Sequence, residues 1–159
     1  MVKNCQQLLT WNNLLVEKGI DLMMTVELDE VSRTFEESEF WKFLGLELDD
    51  IKVGCAKLKL PIRPSFINVK ETVHGGIYAS LLDTTMGMAA RSLGYDEVAT
   101  LQLNIQYVKS VNSGTIKSEA RILNQSRSTA LVEGKLYDEQ NNLIAHCTGN
   151  FRMVKTDNS

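Results

Sequence analysis

The sequence predicts an α+β fold in which one long apolar helix lies across an antiparallel sheet. Residues 73–94, VHGGIYASLLDTTMGMAARSLG, are apolar almost all round at helical spacing, the pattern of a buried helix. After Gly94 the chain changes to a period of two, with short turn sequences between the runs, which reads as successive strands. One face of such a sheet must be covered, and this helix is the segment that can cover it.

The helix carries a contradiction. Ile77, Tyr78, Leu81, Leu82, Met86, Met88, Ala89 and Leu93 make it apolar, yet Asp83 sits near its middle. An ionised carboxylate in a buried helix is costly unless it is paired or used. At 100° per residue, Gly76, Ala79, Ser80, Gly87 and Ala90 fall within about 60° of Asp83, so the carboxylate stands on a stripe of small side chains. That stripe suits either tight helix packing or the approach of a ligand. Tyr78, Met86 and Met88 are core residues or the lining of an apolar tunnel.

With 159 residues, 43% of them hydrophobic, the chain suits one compact domain. Its net charge of −3 hides an asymmetry: residues 1–50 hold 11 acids and 4 bases, residues 51–159 hold 9 acids and 13 bases. The mildly basic body is compatible with an anionic small molecule but lacks the dense Lys/Arg clusters of a nucleic-acid surface. The cysteines, Cys5, Cys55 and Cys147, lack metal-site spacing and read as reduced thiols of a cytoplasmic protein. Polar interruptions at Asn12, Asn13, Glu17 and Lys18 argue against a signal peptide or membrane span.

Taken in order, Leu8, Leu9, Trp11, Leu15 and Val16 predict an amphipathic helix over residues 5–20. Thr34 and Glu37 have the spacing of a capping box, predicting a short helix over 34–43 with Phe35, Phe40, Trp41 and Phe43 packed in the core. The nine acids between Glu27 and Asp50 read as a solvated face. Residues 44–60 predict two strands with a turn near Asp49-Asp50, and Pro61 and Pro64 end that run.

Beyond the long helix, Leu101, Leu103, Ile105 and Tyr107 alternate with Thr100, Gln102, Asn104 and Gln106, placing the first set on the core face and Thr100 on the opposite one. Turns at 112–114, 124–126 and 140–142 divide off three more strands. Their inward residues are Ile116, Ala120 and Ile122; Ala130, Val132, Gly134 and Leu136; and Leu143, Ala145, Cys147, Gly149, Phe151 and Met153. Four successive strands predict a meander.

Several catalytic patterns are absent: Gly-x-Ser-x-Gly, His-Glu-x-x-His, Cys-x-x-Cys, Gly-x-Gly-x-x-Gly and the phosphate loop. With only His74 and His146, a histidine-rich metal site in one subunit is disfavoured, and no cofactor is implied. His146 and Cys147 point to opposite faces of a strand and do not form a nucleophile–base pair. His74 precedes Gly75-Gly76 at the helix start, where it either bonds the backbone or takes part in chemistry. The glycines let a ligand approach free N–H groups at the positive end of the helix, an oxyanion site in the making.

Asn68, His74-Gly75-Gly76 and Asp83 resemble the signature of hotdog-fold acyl-coenzyme A thioesterases of the phenylacetic-acid-degradation type. The likeness extends to the Phe40-Trp41-x-x-Leu44-Gly45 run, to Arg63-Pro64, and to Asp138-Glu139 followed by Leu143-Ile144-Ala145. It implies a hotdog fold, a helix wrapped by an antiparallel sheet, over residues 36–155; residues 1–35, which the likeness does not cover, read as a helical N-terminal extension. It also implies an acyl-coenzyme A substrate, with neither nucleic acid nor membrane as partner, and a homodimer able to pair again into a homotetramer.

By position, the resemblance assigns Gly75 or Gly76 to polarise the thioester carbonyl with help from Asn68. It assigns Asp83 as nucleophile or general base and Thr100 to orient water, with His74 beside them. Gly76 and Asp83 are seven residues apart, about 10 Å at roughly 1.5 Å rise per residue, whereas base and oxyanion donor must both lie about 3 Å from one reacting group. A symmetric pair of antiparallel helices meets that requirement, each site combining one helix start with the partner's Asp83. The alternative is a non-catalytic acyl-coenzyme A binding or sensing protein on the same fold.

Overall fold

The computed structural model describes residues 21–156, with side chains from residue 27 onward; the helix expected over 5–20 lies outside the described residues. Helix α1 spans Asp21–Glu36 and α2 Glu39–Leu44. Strands β1 (Glu47–Lys52) and β2 (Cys55–Pro61) follow, then a single 3-10 turn, Pro64–Phe66. The long helix α3 is Gly75–Arg91. Strands β3 (Glu97–Tyr107), β4 (Thr115–Gln125), β5 (Thr129–Tyr137) and β6 (Leu143–Val154) complete the chain.

The strands form one antiparallel sheet in the order β1-β2-β4-β5-β6-β3, and α3 packs against its inner face. Leu81, Leu82, Met86, Met88, Ala89 and Ala90 of α3 have no exposed surface, so Met86 and Met88 are core, as is the nearly buried Tyr78. Two glycines let the helix come close: a Cβ at Gly134 would lie 2.7 Å from Met86 Sδ, and one at Gly149 would lie 2.9 Å from Met86 Cε. The buried hydroxyl of Thr85 is satisfied by Leu81 O and Ser118 Oγ, both at 2.7 Å.

The meander holds for β4, β5 and β6 but not for β3, which pairs with β6 and forms an edge of the sheet. Its connection to β4 crosses the sheet end beside the start of α3, where Val73 N–H donates to Val111 O at 2.8 Å and Val108 N–H to Ile144 O at 2.9 Å.

Strand β3 also breaks the expected alternation. Thr100 faces Phe151, Gln102 faces Asn150 and Leu103 faces Gly149, leaving Leu101 as the extra residue of a bulge, where two residues oppose one and the side-chain phase changes. Leu101 is therefore 60% exposed rather than in the core, while Thr100 turns to the same inner face as Leu103 and Ile105.

The N-terminal half of the described chain differs in its punctuation. Thr34 caps nothing: it lies in the last turn of α1, its hydroxyl donating to Glu30 O at 2.8 Å. Ser38 starts α2 instead, accepting from Trp41 N–H at 3.3 Å. Trp41 is buried, whereas Phe40 and Phe43 are exposed. Asp49 marks a register shift within β1, and the β1–β2 turn falls at Gly54, whose φ of +76° suits glycine. Ser92 Oγ accepts from Gly54 N–H at 2.8 Å and donates within reach of Ala89 O and Lys52 O, tying that turn to the end of α3. Cys147 is a free buried thiol, but Cys55 is disulfide-bonded, which corrects the expectation of three reduced thiols.

Candidate active site

Helix α3 begins where its sequence supplies a cap and then removes side chains. His74 takes extended dihedrals (φ −61°, ψ 135°), and its Nδ1 accepts the Gly76 N–H at 2.8 Å. An N-cap acceptor satisfies one of the orphan amides of a first turn. His74 thus acts on the backbone, and the Gly76 amide is occupied by it. The Gly75 N–H has no acceptor among the described residues, so it is the open amide at the positive end of the helix.

The loop before the cap is closed by Asn68. Its Oδ1 accepts from Lys70 N–H at 2.8 Å and from Thr72 N–H at 3.3 Å, and its own N–H donates to Thr72 O at 2.8 Å. With the oxygen committed to the loop, the side-chain NH2 keeps both donors without an acceptor among the described residues. His74 N–H donates to Phe66 O at 2.8 Å, and Ile67 pairs with Val73. These bonds hold Asn68 beside the start of α3.

Further along the helix, Asp83 is half-buried, and its Oδ1 accepts from Thr100 Oγ1 at 2.6 Å. The bulge at Leu101 brings this threonine onto the helix side. One carboxylate oxygen is thereby engaged, and Oδ2 has no donor among the described residues. The stripe around Asp83 is the uncovered side of α3: Gly76 is exposed, and Ala79, Ser80, Thr84 and Gly87 are half-buried, while Ala90 at its far end is buried. Small side chains there are bonded back to the helix, Ser80 Oγ to Gly76 O and Thr84 Oγ1 to Ser80 O, each at 2.9 Å.

Within one chain, then, the candidates form two groups. Asn68, His74, Gly75 and Gly76 lie together at the helix start. Asp83 and Thr100 lie together two turns on, about 10 Å away by helical rise.

One residue at the helix start escaped the sequence reading, which placed Tyr107 with the core. It is 55% exposed, its hydroxyl donates to Gly75 O at 3.2 Å, and its ring stacks on Tyr78 with centroids 6.1 Å apart. These two rings, with Val73, Gly75, Val108 and Lys109, line a groove of about 240 Å³ next to the open amide. Its only sequence signal is an aromatic at the end of an alternating run.

Cys147 faces inward and is no nucleophile: burial pushes its thiol up to about 11, against the effect of a backbone bond at Asn104 and with the added effect of the Asp83 charge. His146 faces outward, Nε2 3.0 Å from Glu133 Oε1 and Nδ1 3.2 Å from Gln106 Oε1. Among the described residues, no cluster of three His, Cys, Asp or Glu is arranged to hold a metal ion, and no helix is long and apolar enough to cross a membrane.

A family model described as the thioesterase superfamily matches residues 70–145, which include the helix start, Asp83 and Thr100. The chain has a hotdog fold, and its residues 70–145 are similar to the thioesterase superfamily. A protein of Saccharolobus solfataricus named "Putative esterase" is 26% identical over 145 residues, covering 89% of this chain and 95% of its own length. The solved structure of a conserved Pseudomonas aeruginosa protein superposes with a TM-score of 0.72 at 29% identity, covering 77% of this chain and 98% of its own. The E. coli PaaI protein from the phenylacetic acid degradation operon shares the hotdog architecture, with a TM-score of 0.78 at 20% identity, over 82% of this chain and 96% of its own.

Proposed function

We propose that this hotdog protein is a cytoplasmic acyl-coenzyme A thioesterase, hydrolysing an acyl thioester to the free acid and coenzyme A at sites shared between two subunits. The observation that carries the reading is the Asp83–Thr100 hydrogen bond on the uncovered side of α3. A half-buried carboxylate held by one oxygen, with the other open, is built to accept a proton or attack a carbonyl.

The helix start supplies what the carboxylate lacks. The Gly75 N–H and the Asn68 NH2 are donors for the oxygen of a thioester carbonyl, and their bonds strengthen as that oxygen becomes negative. Asp83 of the partner subunit takes a proton from water as the water oxygen bonds to the carbonyl carbon, and Thr100 keeps Asp83 aimed. The tetrahedral intermediate then collapses, the C–S bond breaks, and the proton held on Asp83 passes to the departing sulfur. With Asp83 as the nucleophile, the C–S bond breaks as an anhydride forms, the thiolate leaves and takes a proton from solvent, and water then cleaves the anhydride to the free acid and the Asp83 carboxylate. Both routes need the same donors and the same carboxylate.

The separation along α3 supports a homodimer. Among the described residues strand β3 has an unpaired edge, and the stripe of small residues beside it is left uncovered. Edge-to-edge pairing of two β3 strands would set two α3 helices side by side, antiparallel, and bring each helix start toward the other's Asp83. A second pairing into a homotetramer is compatible with the outer sheet face, which remains available.

Thiol release from a panel of aliphatic and aromatic acyl-coenzyme A thioesters tests the function. Asp83→Asn is expected to lower turnover by about a hundredfold or more, the lower range for loss of a general base; full turnover in a pure, folded variant rejects the assignment. Mixing Asp83→Ala with Gly75→Val subunits tests sharing, because the mixed dimer regains one intact site. Tight acyl-coenzyme A binding without thiol release would instead make the chain a binding protein.

A further inference from the structure

Two consecutive glycines at a helix start pose a problem for catalysis. Neither has a Cβ to restrict its dihedrals, and the first N–H groups of a helix have no partner in a preceding turn, so the backbone on both sides of the Gly75 Cα is loosely defined by the chain itself. An oxyanion donor works by being aimed before the charge develops. The peptide that carries the Gly75 N–H, His74–Gly75, is held at its carbonyl by Ile77 N–H at 2.9 Å, and the peptide on the other side of the Gly75 Cα needs a restraint of its own.

The Gly75–Gly76 peptide is held at both of its polar atoms by side chains. Its N–H, that of Gly76, donates to His74 Nδ1 at 2.8 Å, and its carbonyl, that of Gly75, accepts from the Tyr107 hydroxyl at 3.2 Å. Bonds at the two ends of one peptide polarise each other in the same sense. The Tyr107 ring also lies against the glycine: a Cβ at Gly75 would meet Cε1 at 3.2 Å and Cζ at 3.4 Å. The tyrosine is anchored in turn, since it stacks on Tyr78, which is 3% exposed, and sits at the end of β3 opposite Ala145.

We infer that Tyr107 is a positioning residue, which with His74 clamps the Gly75–Gly76 peptide from two sides and so fixes the backbone that adjoins the open Gly75 amide. The inference rests on the proposed thioesterase reaction for its catalytic consequence, but the clamp is a property of the backbone and is measurable without it. The hydroxyl is the working atom. The ring keeps Gly75 free of a side chain and forms a wall of the adjoining groove.

Tyr107→Phe retains the ring and removes only the donor. Its expected effect is a fall in kcat of about three- to tenfold, the range for one lost hydrogen bond, with KM within about twofold and the melting temperature unchanged. NMR should show faster solvent exchange of the Gly76 amide and an upfield shift of its proton. Tyr107→Leu, which also loses the wall, should raise KM as well. Wild-type kcat together with wild-type amide exchange in Tyr107→Phe overturns the inference, as does a loss wholly in KM. If the wild-type protein hydrolyses no thioester, the proposed function fails, and the exchange measurement alone decides the clamp: unchanged exchange rejects it, faster exchange upholds it.

Discussion

Thr100 Oγ1 donates to Asp83 Oδ1 across 2.6 Å, and it reaches that carboxylate only because β3 holds one residue more than its partner strand. The bond is to an ionised acceptor, the stronger class of hydrogen bond. Thr100→Val preserves the shape and deletes the donor, and thioester turnover should fall about ten- to hundredfold. Thr100→Ser should keep most of it. Steady-state rates of the two variants, measured side by side, check the role of the hydroxyl; equal rates exclude it.

The contact of α3 with the sheet predicts a penalty for the smallest enlargement. In Gly134→Ala the new Cβ would lie 2.7 Å from Met86 Sδ and 3.0 Å from Leu82 Cδ2, both on the buried helix. Overpacking of this kind costs about 1–3 kcal/mol. Urea unfolding should show a lower midpoint with an unchanged slope, and a wild-type midpoint would mean that the helix moves freely off the sheet.

Ser92 makes a different demand. Its Oγ is the acceptor for the buried Gly54 N–H, so Ser92→Ala leaves that amide without a partner, a loss of about 1–3 kcal/mol. Ser92→Thr offers the same oxygen and should recover part of it. The comparison requires only thermal melts of three proteins.

Acid should weaken the fold through two carboxylates on the β5–β6 hairpin. Burial pushes Glu133 up from its ordinary 4.5, but hydrogen bonds from His146 and Arg121 and the charge of Lys135 outweigh it and hold the group at about 2. Bonds from Asn142 and Lys109 hold Asp138 at about 2, below its ordinary 3.8. Both pKa values are depressed on folding, so the stability they contribute is complete above the ordinary carboxyl range and is lost as pH falls toward 2. Unfolding free energy should drop between about pH 5 and pH 2. In a Glu133→Gln, Asp138→Asn variant the protein should be weaker at pH 7 and the decline shallower.

Much of this was readable in the residues. A 3.6-residue pattern marked α3 and a period of two marked the strands, since burial on one face writes itself into composition. Asp83 was conspicuous because an ionisable group in an apolar helix has few bland explanations. What escaped depended on backbone irregularity or on distance in the chain. Nothing in Thr100-Leu101-Gln102 announces a bulge, and so Thr100 was placed on the wrong face. Asp49-Asp50 looked like a turn, yet the left-handed φ was at Gly54. Thr34 and Glu37 had cap spacing inside a helix that was already running. Tyr107 looked like one more core aromatic, because its contact with Gly75 spans 32 residues. The edge position of β3 was equally unreadable, for strand order is set by which strands meet across the sheet.

The bulge in β3 also sets how that strand tolerates change. On its Thr100 side the even-numbered positions, Val98 and Thr100, look toward the helix; beyond Leu101 the odd-numbered ones, Leu103 and Ile105, do. A saturation scan of the strand should therefore show a comb of sensitive sites that slips by one tooth at Leu101. Polar replacements would be accepted at Ala99 but not at Leu103, although a ruler laid along the chain would count the two as equivalent.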